Sequence, residues 1–189
     1  TQADEHHAQL ALDVIGPDRT LVINVRAAAD AIWREIEGAG VDPVIVGDRD
    51  VLLGNVKARQ RMVAQFALAG SLGGLVVGTD HAAEAVMDFF TKFGDGAADV
   101  LPLSGLTKRR VRAIASHLGA PPELVTKVPT ADLEDGMPMR PDEDAYGVTY
   151  EQIDDYLEGR PVDHSAAATI VRAYRTTAHK RALPVAPIL

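Results

Sequence analysis

Apolar residues recur at helical spacing from residue 2 to residue 15, where Gly16-Pro17 stops them, and TLVINV from Thr20 to Val25 is a β-branched run of strand type. Helical spacing returns in AAADAIWREIEGAG, which ends at Gly38 and Gly40. The next segment, NVKARQRMVAQFALAG, aligns Val56, Met62, Val63 and Phe66 on one predicted face with Gly70 as C-cap. LVVG at Leu75 to Gly78 reads as a second strand, Thr79-Asp80 as a tight turn and HAAEAVMDFFTK as a helix. From Thr107 the positions Val111, Ile114, Ala115 and Leu118 predict an amphipathic helix closed by Gly119, and Thr149 with Gln152 makes a capping box ahead of Ile153, Tyr156 and Leu157. Residues 132 to 147 are acidic, aperiodic and carry Pro and Gly, which predicts a mobile loop or lid. There is no internal repeat.

This alternation predicts an α/β fold, a Rossmann-like doubly wound parallel sheet with flanking helices. Both predicted strands have the unbroken apolar character of strands buried on two faces, and such strands need neighbours. The expectation is that the N-terminal strands are missing from this chain and lie upstream of Thr1.

Composition narrows the function. The 189 residues are 47% hydrophobic and 24% charged, ordinary for one globular domain spanning 1–189. Nineteen Lys and Arg against 27 Asp and Glu leave a formal charge of -8, so a general basic footprint for nucleic acid or an anionic membrane is missing. No Cys means no disulfide framework, thiolate metal site or Cys nucleophile, consistent with a cytoplasmic location. No apolar run approaches the length of a membrane span. The opening TQADEHHAQ lacks the basic and apolar regions of a signal peptide and reads as a chain entered midway.

In an open α/β sheet ligands sit beyond the carboxyl ends of the strands, which directs attention to the turn after LVVG with Thr79, Asp80, His81 and Glu84. Two readings stand side by side there. Thr79 or Asp80 caps the following helix, or Glu84, four or five residues beyond either cap and outside capping-box spacing, keeps its carboxylate for a hard cation such as Mg2+. His81 alone reads as structural. TKRRVR places Lys108, Arg109 and Arg110 at the positive end of a helix macrodipole, unfavourable unless an anion lies there, so a solvated cluster stands against a phosphate site. FFTKFGDGAADVLP adds Lys92, Asp95 and Asp99 around Gly94 and Gly96, where backbone can approach a ligand or simply turn. GSLGG at 70 to 74 follows a helix and leads into a strand, the wrong polarity for a phosphate loop, and reads as a helix terminator. His6 and His7 receive no role.

Taken in order, GNVKARQRM at 54, GLVVGTDHAAEAV at 74, FFTKFGDGAADVLPL at 89, LTKRRVR at 106, KVPTADLEDG at 127, PDEDAYGVTYEQIDDYLEG at 141 and AHKR at 178 resemble the ammonia-dependent NAD synthetases. The resemblance implies a homodimeric ligase that uses ATP to adenylate the carboxylate of deamido-NAD, releasing pyrophosphate, after which ammonia displaces AMP. By motif position it implies Thr79, Lys108 and Thr130 as ATP contacts and Glu84 as a Mg2+ ligand. It implies Arg59, Lys92, Asp99, His179 and Lys180 around deamido-NAD, and Asp95, with Lys108, as catalytic, Asp95 orienting or deprotonating ammonia.

The family's Ser-Gly-Gly-x-Asp-Ser phosphate loop occurs nowhere in these residues, nor is DPVIVGDRD matched. The 189 residues alone are therefore expected to be inactive and poorly folded, and to need an upstream segment. A noncatalytic nucleotide-binding or dimerisation module derived from the family is the alternative. Another pyrophosphatase such as a GMP synthetase would not be expected to share FFTKFGDG or AHKR.

Overall fold

The computed structural model describes residues 2–40, 49–130, 139–182 and 184–187. Helix α1 (Gln2–Ile15) ends where Gly16 turns into the left-handed region ahead of Pro17. It lies against the short α6 (Pro122–Val125) and the residues after it: Lys127 Nζ is 2.8 Å from Asp4 Oδ1, and the Nε2 atoms of His6 and His7 are 3.3 and 3.2 Å from Glu123 Oε1.

Helix α2 (Arg26–Gly38) buries Ala29 and Trp33 against α3 (Arg49–Leu72), which contributes Leu53 and Ala58. Trp33 Nε1 donates to Glu37 Oε1 at 2.7 Å, and Arg49 donates to the same oxygen while its guanidinium lies 5.3 Å from the indole centre. Helix α3 runs past Gly70; the turn that ends it is at Gly73, φ +64°, with Gly74 N–H donating to Ala69 O. GSLGG therefore terminates the helix as expected, although the cap lies three residues beyond Gly70. The predicted face is also rotated, for Val63 is exposed and the buried positions are Leu53, Gly54 and Ala58.

The expected sheet is not seen among the described residues, which contain no β-strand and two isolated bridges, Val77 with Val100 and Thr130 with Pro141. Residues 20–25 are irregular, with Val22 92% exposed, because β-branched residues form strands only beside a partner and none lies next to them among the described residues. LVVG is extended and pairs in parallel with the 98–101 segment. Val76 and Gly78 face inward, while Leu75 and Val77 are 70% and 63% exposed, so this strand-like segment is buried on one face and not on two.

The core sits under α4 (Ala82–Met87), α8 (Tyr150–Leu157) and α9 (His164–Thr176). Ala83, Met87, Tyr146, Val148, Tyr150, Ile153, Ala166 and Ile170 pack there, with Phe89, Leu157 and Ala173 around them. Thr149 and Gln152 form the predicted capping box, and Asp163 Oδ1 accepts from Ala166 N–H at 2.8 Å to start α9. The 139–147 half of the predicted loop is built into the fold, with Asp142 N–H donating to Pro129 O at 3.0 Å and α7 (Asp142–Tyr146) burying Asp142 and Tyr146. These residues are in part helical and buried, and not an aperiodic loop throughout. The 132–138 half of that expectation lies outside the described residues.

Helix α4 has only six residues, stopped by Asp88 at φ +65°. Its C-terminal carbonyls are held from far along the chain by α10 (Ala178–Arg181): Arg181 Nη1 donates to Ala85 O at 2.9 Å and Lys180 Nζ to Asp88 O at 3.0 Å.

Candidate active site

Helix α5 (Lys108–His117) shows why its basic N-terminus is tolerated. Asp154, 2% exposed on α8, accepts Lys108 N–H through Oδ1 at 3.0 Å and Arg109 N–H through Oδ2 at 2.7 Å, while Thr107 Oγ1 accepts Arg110 N–H at 3.4 Å. The anion demanded by TKRR is a carboxylate of this chain. Arg109 pairs with Asp155 at 2.8 Å and Glu158 at 3.0 Å, and Arg110 with Glu158 at 3.4 Å. Both arginines are structural, and only Lys108 turns elsewhere.

Lys108 Nζ lies 3.3 Å from His81 Nε2 and 5.1 Å from the centre of the Tyr150 ring. Burial pushes its ammonium pKa down, opposed by the Glu84 carboxylate. The residue that starts α4 is His81, and Glu84 is its capping-box partner, accepting His81 N–H through Oε2 at 3.3 Å while Glu84 N–H donates to His81 Nδ1 at 3.5 Å. Thr79 and Asp80 do not cap, and Glu84 is not outside capping-box spacing, because the ring nitrogen of a histidine can take the place of a hydroxyl or carboxylate. Glu84 Oε1 is directed at His81 Nε2, 3.2 Å away.

Two cavities meet here. One of about 330 Å³ is bordered by Lys108, Arg112 and Lys127; the other, about 550 Å³, by Phe89, Phe90, Asp95 and Lys180; both share Glu84, Thr130 and Asp142. Thr130 Oγ1 is buried there without a hydrogen-bond partner among the described residues. Asp95 Oδ1 accepts Thr91 N–H at 2.9 Å, and Thr91 Oγ1 donates to Asn55 Oδ1 at 2.7 Å, which ties this loop to α3. Burial, then the nearby Asp95 and Glu84 carboxylates, raises Asp80 to a pKa of about 6.

Four of the remaining expected contacts gather at the rim and two stand apart. Arg59 Nε donates to Lys92 O at 3.3 Å, Lys92 Nζ donates to His179 O, and Lys180 Nζ sits 4.8 Å from the Phe90 ring centre, so Arg59, Lys92 and the adjacent His179 and Lys180 are drawn together from three parts of the chain. Asp99 Oδ2 accepts Val76 N–H at 2.8 Å, and Thr79 is exposed; neither borders the two cavities. Gly94 and Gly96 do allow close approach, but of the protein to itself. A Cβ on Gly94 would stand 2.9 Å from Thr91 Cβ, and one on Gly96 2.5 Å from Phe90 Cδ2. Sequence reasoning missed Asp142, Tyr150 and Asp154; the Pro141-Asp142-Glu143-Asp144 run, a proline followed by an acidic first turn, was the available signal for the helix that carries Asp142.

The sequence pattern of the NAD synthase family matches residues 1–184. The chain belongs to the NAD synthase family. It is 61% identical over 98% of its length to an NH(3)-dependent NAD(+) synthetase of Streptomyces coelicolor and covers 67% of that protein. Among solved structures, an NAD+ synthetase from Burkholderia pseudomallei superposes with a TM-score of 0.74 at 58% identity, over 94% of this chain and 65% of that one. An NMN synthetase from Francisella tularensis superposes with a TM-score of 0.88 at 34% identity, over 100% of this chain and 74% of that one. The chain spans about two thirds of the length of the curated relatives it matches. Its helical framework is that of this family, and no helix among the described residues is long and apolar enough to cross a membrane.

Proposed function

We propose that the protein forms NAD from deamido-NAD, ATP and ammonia through an adenylated intermediate. The observation that carries this reading is the pair of cavities sharing Glu84, Thr130 and Asp142, one with the buried Lys108 and the other with Asp95, Phe90 and Lys180. A nucleoside triphosphate and a dinucleotide can thus meet at one point.

In the first half-reaction a carboxylate oxygen of deamido-NAD attacks the α-phosphorus of ATP, the bond to the β-phosphate breaks, and pyrophosphate leaves with the electron pair. Lys108, with Thr79 and Thr130 as further ATP contacts, supplies positive charge as it develops on the phosphates. In the second half ammonia attacks the carbonyl carbon and the carbon–oxygen bond to AMP breaks. Asp95 takes the nitrogen's proton on Oδ2, because Oδ1 is held by Thr91 N–H. Arg59, Lys92, His179 and Lys180 hold deamido-NAD at the rim, and Asp99, which borders neither cavity, would reach it only from outside them.

Among the described residues no group of three or more His, Cys, Asp or Glu is placed to hold a metal ion. Mg2+ needs no such group, since it takes one or two carboxylates and completes its shell with phosphate oxygens and water, and the donors here are of that kind. Glu84 would hold it, and when bound it would offset triphosphate charge. The exposed face at Leu75 and Val77 fits a further covering layer, as in a doubly wound parallel sheet of one domain with helices on both sides, and the assembly is a homodimer in the cytoplasm.

The test is NAD formation by the full-length protein from deamido-NAD, ATP, Mg2+ and ammonium, with AMP and pyrophosphate appearing in equal amounts. Nicotinic acid mononucleotide in place of deamido-NAD examines the activity named for the Francisella neighbour; a preference for it would overturn the dinucleotide assignment. Glu84→Gln keeps an acceptor for His81 N–H, so it should retain its melting temperature and lose turnover at every Mg2+ concentration. Wild-type activity in that variant would remove Glu84 from the metal.

A further inference from the structure

One buried side chain touches two of the groups around the shared end of the cavities. Tyr150 opens α8 and is 1% exposed, with its N–H donating to Glu143 Oε1 at 2.8 Å. Its hydroxyl donates to Asp142 Oδ2 at 2.9 Å and stands 3.2 Å from the hydroxyl of Tyr146. Its ring face carries the Lys108 ammonium, and the ring meets His81 edge-on with centres 6.2 Å apart. Burial raises the phenol above its ordinary value, so the hydroxyl remains a donor throughout the working pH range.

Lys108 and Asp142 border the same cavity with opposite charges. An ammonium and a carboxylate free to meet in a partly dry site would pair, and the ammonium would then be quenched before a phosphate arrived. Resting on the activity proposed above, we propose that Tyr150 is a positioning residue that keeps these two charges apart, its hydroxyl fixing Asp142 and its ring face seating Lys108, so that the ammonium stays available to ATP. A flat ring is suited to this because the cation is attracted to its face and the donor sits at its edge. Tyr146 backs the arrangement by its contact with the Tyr150 hydroxyl.

The experiment compares Tyr150→Phe, which keeps the ring, with Tyr150→Leu, which removes it, in the full-length protein, each in the natural and in the Lys108→Gln background. Tyr150→Phe should lower kcat about tenfold, the worth of a hydrogen bond to a charged group, with KM for deamido-NAD unchanged. Tyr150→Leu should in addition weaken ATP binding, read by titration calorimetry, about fivefold, as expected for a lost cation–π contact. Both effects should vanish in the Lys108→Gln background, which a purely structural role would not produce, and thermal melting checks that each variant is folded. A kcat within twofold of wild type in Tyr150→Phe, or the same losses with Lys108→Gln present, would overturn the inference. Wild-type protein that binds ATP but makes no NAD would overturn the proposed activity alone, since the ATP-binding comparison still decides the role of Tyr150; wild-type protein that binds no ATP overturns both.

Discussion

Replacing Asp154 by Ala should unfasten α5 from α8. The side chain accepts two backbone N–H groups at 3.0 and 2.7 Å and is nearly fully buried, so truncation strands two donors at the positive end of a helix whose next side chains are Lys108, Arg109 and Arg110. Hydrogen bonds to a charged acceptor contribute roughly 1.5–3 kcal/mol each, part of which is offset by the cost of drying the carboxylate, so the net loss should be about 3–4 kcal/mol. For a protein of this size that corresponds to a fall in Tm on the order of 10 °C. Asp154→Asn keeps one acceptor but turns an amide N–H toward a backbone N–H, and should recover less than half of the difference. Chemical denaturation of the full-length protein with each variant measures both values. A loss below about 1 kcal/mol in Asp154→Ala would mean that water or another group satisfies those donors, and that the carboxylate is not what holds the basic helix end in place.

Asp80 offers a pH test with a defined sign. Its folded pKa of about 6 lies above the unfolded value, so the folded state holds the extra proton and stability falls as pH rises between roughly 4 and 6. Asp80→Asn should therefore be neutral near pH 4 and stabilising at pH 7 by on the order of 1–2 kcal/mol, discounted for partial exposure, and an unchanged pH slope in urea titrations would refute this. Gly96→Ala places a methyl 2.5 Å from Phe90 Cδ2, so the ring that carries Lys180 must shift. The expected cost is about 1–3 kcal/mol together with a raised KM for deamido-NAD and an unchanged KM for ATP; no movement in either Tm or KM would show that Phe90 yields freely.

The parts of the fold legible in the sequence were those set by neighbours along the chain. The Thr149 and Gln152 capping box and the Gly16-Pro17 stop depend on residues a few positions apart, and they stand where expected. The expected strand at 20–25 failed because pairing is decided by what lies alongside, which residue type does not reveal. TKRR shows the same limit from the side of charge. The need for an anion was readable, but the identity of that anion was set by Asp154, 46 positions after Lys108. Glu84 was misread because a histidine cap falls outside the usual cap residues. At the site, Lys108, Glu84 and Thr130 border the cavities, whereas Thr79 and Asp99 stand away from them, and Tyr150 was missed because nothing in its local spacing marks it out from the other residues of its helix.

The hold of Arg181 and Lys180 on the end of α4 also bears on the order in which the molecule can be made. A six-residue helix is too short to persist by itself, because the first turn fixes several dihedrals for a single hydrogen bond. The helix that presents Glu84 therefore waits for the core under it and for the two cations that satisfy Ala85 O and Asp88 O, which leave the ribosome more than ninety residues later. At about 5–20 residues per second, that delay is on the order of 5–20 s, during which a nascent chain holds Thr79 to Lys92 without either cavity formed.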